Sequence, residues 1–149
     1  MDSTEQKVVD DIAKYGWHAI KIMGDSEGPA FAYSIGLYET YHHPEIILFG
    51  LPLSLMHEIM NVISNEIKAG KGFQTGVRYE SILDNYEVTF LAVNQADYAA
   101  YLGYALWYYQ GTSFPVLQCV WPNRNGAFPW EAEADQQFQM QQPILGLQA

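Results

Sequence analysis

The sequence is short of cysteine, of basic residues and of long apolar runs. Its one cysteine, Cys119, has no partner for an internal disulfide, so covalent cross-links cannot hold the fold. Seven lysines and arginines stand against seventeen acidic residues, for a formal net charge of −10. They are scattered along the chain with no basic stripe. A field of that sign repels phosphate backbones, which argues against nucleic-acid binding. No apolar run nears the ~20 residues that a bilayer-spanning helix needs. The opening MDSTEQKVVDD is acidic and has neither the basic nor the hydrophobic region of a secretory leader. A cytoplasmic protein without membrane contact is the expectation these absences leave.

Apolar and aromatic residues are plentiful, at 49% and 15%, which is material for a packed core and excludes a disordered chain. The expected organisation is one globular domain over residues 1–149. Its tail, from about residue 132, is mobile unless Phe138, Ile144 and Leu145 dock on the body. Two apolar runs, Phe31–Leu37 and Glu45–Leu51, are rich in residues that fit a pleated surface and read as central strands. Tyr38–Pro44 reads as the polar loop between them. A first strand is expected over Trp17–Met23, another over Tyr86–Val93 and a last over Pro115–Trp121, while Val77–Leu83 fits either a strand or a turn.

Helical spacing marks three segments. Ser3 and Gln6 resemble a capping box ahead of Val8, Val9, Ile12 and Ala13, and Gly16 stops that helix. Leu55, Met56, Ile59, Met60, Ile63 and Ile67 follow Pro52 as a second stripe. Asn94 caps a third helix carrying Tyr98, Tyr101, Leu102, Ala105, Leu106 and Tyr109. The expected class is α+β, a mostly antiparallel mixed sheet flanked by about three helices.

Several constellations invite a chemical reading. Ala32-Tyr33-Ser34-Ile35-Gly36 has the outline of a nucleophile elbow, but Ser34 lies inside an apolar run where backbone neighbours satisfy it. His42, His43 and Glu45 are weak metal-ligand candidates, because adjacent histidines in extended chain point apart. A metal-dependent hydrolase built on them is the third functional reading. The glycines after Ala69 follow a helix C-terminus, which has the wrong dipole for phosphate. Cys119, in an expected buried strand, behaves as a small hydrophobe.

The aromatics carry more. Tyr104, Trp107 and Tyr108 fall off the main stripe of their helix, and Trp121, Phe128 and Trp130 follow closely. They read as core and cap, or as the lining of a pocket or interface in which Arg124 and Glu131 orient a ligand or pair together. The candidate pocket or interface set is His43, Glu45, Tyr104, Trp107, Trp121, Arg124, Trp130 and Glu131.

Gly16-Trp17-His18, the FAYSIGL run, His43-Pro44-Glu45, Phe49-Gly50-Leu51-Pro52, Tyr101–Ala105, Leu117–Asn123, Phe128–Glu131 and Gln142-Pro143 together resemble a family of short bacterial proteins. It is known as domain of unknown function four-two-six-two. Cys119 and Asn123 depart from its pattern, where a larger aliphatic residue and an aspartate would be usual. The resemblance implies a soluble single-domain protein and transfers no activity and no catalytic residues.

The leading functional expectation is a non-enzymatic acidic module, inhibitor- or immunity-like, that binds a basic protein partner. The alternative is a small-molecule or flavin-type cofactor binder that uses an aromatic pocket. It rests on a loose likeness of Ala30–Leu51 to the opening of split-barrel flavin reductases.

Overall fold

The computed structural model describes residues 1–145. Within them a six-stranded sheet runs in the order β1-β2-β3-β6-β5-β4. The strands are β1 (His18–Ile22), β2 (Phe31–Ile35), β3 (Glu45–Phe49), β4 (Arg78–Leu83), β5 (Tyr86–Ala92) and β6 (Val116–Val120). Every neighbouring pair is antiparallel except β3 and β6. The class is therefore α+β, with one parallel pair in its middle.

The two apolar runs occupy the centre because both of their faces need cover. All five residues of β3 are buried. Ile46 and Leu48 point into a core shared with helix α3 (Leu53–Lys68), whose Met56, Ile59, Met60 and Ile63 form the expected stripe. Ile47 and Phe49 point the other way. There they meet α1 (Ser3–Tyr15) through Val8, and α4 (Tyr98–Tyr101) and α5 (Gly103–Tyr109) through Tyr98 and Ala105. Period-two alternation thus divides one strand between two hydrophobic layers. Val77–Leu83 resolves as an edge strand with a register shift between Tyr79 and Leu83.

The helices depart from expectation in four ways. The capping box of α1 is Asp2 with Glu5, not Ser3 with Gln6; Asp2 accepts from Glu5 N at 2.7 Å and Glu5 accepts from Asp2 N at 2.9 Å. Tyr38–Pro44 is not all loop, because Leu37–Tyr41 forms a short helix, α2. The third expected helix is broken. Asn94 caps a turn of 3-10 helix over Gln95–Asp97, and Leu102 then separates α4 from α5. Finally, Gln136–Gln141 forms α6, so about three helices become six among the described residues.

The C-terminal segment lies against the sheet. Phe138 and Leu145 are buried. Gln142 Nε2 donates to Trp121 O at 2.8 Å while its Oε1 accepts from Trp121 N at 3.0 Å, in the manner of a neighbouring strand. Gly50, at a φ of 86°, lets this segment approach closely, since a Cβ there would collide with the carbonyl oxygen of Gln141.

Candidate functional site

The most concentrated polar chemistry in the interior surrounds Glu45. This carboxylate is 1% exposed, at the start of the fully buried β3. Ser34 Oγ donates to its Oε1 at 2.7 Å, and the amides of Gly36, Leu37 and Tyr38 donate at 2.9, 3.2 and 3.2 Å. Tyr109 donates its phenolic proton to Oε2 in a short hydrogen bond. Ser34 Oγ in turn accepts from Ile46 N at 2.9 Å.

These amides belong to the first turn of α2, which has no side-chain cap of its own. Glu45 therefore caps that helix from the neighbouring strand, filling the role a local Asp or Ser usually plays. Gly36 makes the geometry possible. It turns the chain at a φ of 110°, with its would-be Cβ position only 2.8 Å from Gly16 O. Burial pushes the Glu45 carboxyl above its ordinary value, and the bonds from Tyr109, Ser34, Tyr38 and Gly36 offset only part of that rise. Each of the five bonded groups donates, which is the environment of an ionised carboxylate. Burial and the adjacent Glu45 push the Tyr109 phenol far above its usual value, so it stays protonated.

This arrangement is structural. A strand does lead into a helix through Gly36, contrary to the loop expected there, but Ser34 is fully buried and committed to Glu45 and Ile46. It is not exposed as an elbow nucleophile must be. His42, His43 and Glu45 do not converge either. His42 is exposed in the left-handed conformation that ends α2. His43 is buried, bonded through Nδ1 to Pro44 O at 2.9 Å, and its Nε2 accepts from Phe73 N at 3.1 Å. Both ring nitrogens are occupied, and so is the carboxylate. Among the described residues no group of three His, Cys, Asp or Glu side chains could hold a metal ion. The Cys119 thiol is buried and pushed up to about 12 by that burial, which makes it a poor nucleophile.

The aromatic candidates separate in the same way. Trp121 is 8% exposed and its indole donates to Phe49 O at 2.7 Å. Trp130 is 37% exposed and stacks on Phe128 with centroids 5.2 Å apart. Trp107 packs against the α5 side of the sheet. Arg124 is exposed and forms no ion pair with Glu131, whose Oε1 accepts from Phe128 N at 2.8 Å. Arg78, not Arg124, lies over the Phe128 ring at 4.9 Å. Of the candidate set, Tyr104 lines two open grooves among the described residues, and the others line neither.

Among the described residues, two open grooves both touch Ile22 and Tyr104. One, of about 1100 Å³, runs between the β1–β2 turn, α4–α5 and α6. Phe31, Phe49 and Tyr101 line it, with Tyr101 meeting both phenylalanines edge-on at 5.5 and 5.3 Å. Met23 and Met140, 77% and 70% exposed, stand at its rim beside Asp25 and Glu27. The other, of about 840 Å³, follows β1 between α1 and α3 and gathers Lys7, Lys14, Lys21 and Lys68.

The second groove is not among the sites the sequence suggests, because lysines scattered along the chain meet here in space. A signal existed. Thr4, Lys7, Asp11 and Lys14 share one face of α1, and His57, Asn61, Ser64, Asn65 and Lys68 share one face of α3.

No curated protein and no solved structure matches the chain. A family model described as a domain of unknown function, DUF4262, matches residues 11–135, from α1 through the Trp121–Trp130 segment. The motifs quoted above lie almost wholly inside that span, and the chain belongs to the DUF4262 family.

Proposed function

We propose that this chain is a non-enzymatic protein-binding module, and that the groove lined by Phe31 and Tyr101 receives an apolar, basic segment of a partner protein. The observation that carries this reading is the pair of exposed methionines over an aromatic floor, with Asp25 and Glu27 at the rim. Methionine is flexible and polarisable, so such a rim adapts to an apolar side chain. The net charge of −10 favours encounter with a cationic partner.

An inhibitor or immunity protein acting on a basic target is one form this module takes. A flavin would use the same aromatic floor, but its phosphate would meet Asp25 and Glu27, and the charge disfavours it.

The test is titration of an amphipathic Leu/Lys peptide into isotope-labelled protein. Shifts are expected at Ala99, Tyr101 and Met140, weakening as salt rises. The Met23→Ser/Met140→Ser variant, which removes the apolar rim without adding charge, should bind about tenfold or more weakly. It should keep its thermal midpoint, because both side chains stand in solvent. Shifts spread evenly over the acidic surface, or unchanged affinity in the double variant, would overturn the assignment.

A further inference from the structure

The cleft along β1 is unlike the rest of the molecule. Four of the five lysines line it against one carboxylate, Asp11, a formal +3 within a chain of −10 that leaves −13 elsewhere. Asp11 is already engaged, by His18 Nδ1 at 2.6 Å and Lys7 Nζ at 3.3 Å. Among the described residues no carboxylate lies within ion-pair distance of Lys14, Lys21 or Lys68.

Each lysine has a local use. Lys14 and Lys68 stand in the last turns of α1 and α3, where cations suit the helix dipole. Lys21, on an edge strand, is a usual guard against unwanted strand pairing.

Local uses do not account for the cleft itself. β1 is the terminal strand of the sheet, so one of its edges is unpaired. The six consecutive residues Trp17–Ile22 all line the cleft, a length of about 17 Å. The two helices pack on opposite faces of the sheet. Neither closes over the edge with apolar residues; each turns a polar face to it, including Thr4, Asn61 and Asn65. The floor therefore offers backbone donors and acceptors, and the walls offer amides and cations spread along its length. A single phosphate would engage one end of such a site, whereas an extended polyanion would engage all of it.

We propose that this cleft is a second docking site, which takes an extended acidic peptide segment of a partner protein as an added strand on β1. Main-chain pairing with the open edge supplies affinity, and carboxylates meeting Lys7, Lys14, Lys21 and Lys68 supply selectivity. Bound carboxylates also relieve the crowding of unpaired cations. Lys21 Nζ stands 3.3 Å from His57 Nδ1, and burial together with the charges of Lys21 and His18 holds that imidazole below its ordinary value.

The test uses the full chain and a synthetic peptide of alternating Glu and Thr, beside its Lys–Thr counterpart, inorganic phosphate and ATP. Calorimetry reports binding, and amide hydrogen exchange reports strand addition. The Glu–Thr peptide should bind and slow exchange in His18–Ile22, and the Lys–Thr peptide should leave exchange there unchanged. Lys14→Glu/Lys21→Glu, exposed substitutions that leave the core untouched, should weaken binding about tenfold or more. Equal affinity in that variant, or binding without protection of β1, overturns the proposal. So does phosphate or ATP binding at these lysines while the peptide fails, which would make the cleft a small-anion site. Protection of β1 in a concentration-dependent dimer of the peptide-free protein would assign the edge to a second copy and overturn it as well.

Discussion

Around Glu45, five donors close on two oxygens in the dry middle of the sheet; along β1, four lysines stand in solvent with one carboxylate among them. The first place has the residue types of an active site, a serine, a glutamate and a tyrosine, yet their polar atoms are bonded to one another and to the amides of α2 and β3. The second has plain surface residues, yet Lys14, Lys21 and Lys68 face no carboxylate among the described residues and the strand edge is unpaired. Buried polarity in this protein is architecture, because an unpaired polar group there costs far more than a bond contributes. Recognition is expected where the groups can still exchange water for a ligand.

The contrast breaks first at Glu45. Glu45→Ala leaves a hydroxyl, a phenol and three amides without their acceptor in the core, and stability should fall by about 3–5 kcal/mol in urea denaturation. Tyr109→Phe removes one donor and keeps the ring, so its loss should be smaller, about 1–3 kcal/mol. A loss below about 1 kcal/mol for Glu45→Ala would mean that the interior network does not hold the fold.

His43 sharpens the same contrast through pH. Burial lowers its pKa in the folded state, and Phe73 N donates to Nε2 only while the ring is neutral. The unfolded chain therefore takes up the proton more readily. Stability should be full above the unfolded value of about 6.5 and decline as pH falls through it. Urea midpoints at neutral and mildly acid pH would register this, and the decline should flatten in His43→Gln. An equal slope in the variant would place the titrating group elsewhere.

The smallest effect belongs to the open cleft. Lys21→Gln should leave stability within about 0.5 kcal/mol of the parent, since the side chain is solvated. It should raise the His57 titration midpoint in NMR by removing a neighbouring cation. An unmoved midpoint would show that the charge of Lys21 does not act on His57.

Legibility in the sequence followed burial. Phe31–Leu37 and Glu45–Leu51 announced central strands because a strand covered on both faces must be apolar throughout. The stripe from Leu55 to Ile67 announced α3 for the matching reason. Val77–Leu83 stayed ambiguous because β4 is an edge strand, mostly exposed between Arg78 and Ser81, and has no hydrophobic period to show. The five residues of α2 are too few to be helical by propensity. They are helical because Glu45, on the next strand, accepts their first amides. Glu45 itself was singled out for its neighbours His42 and His43, which turned out to face elsewhere.

The order of residues alone determined the apolar ribbons, the long helices, the acidic balance and the family motifs, since each is a property of composition and spacing along the chain. Only the folded arrangement decided that Ser34, Glu45 and Tyr109 would meet, and that four lysines would line one edge. Those meetings depend on which strands become neighbours and on which faces of two helices flank the terminal one. Strand order and helix placement are settled by the packing of the whole sheet, which no local pattern encodes.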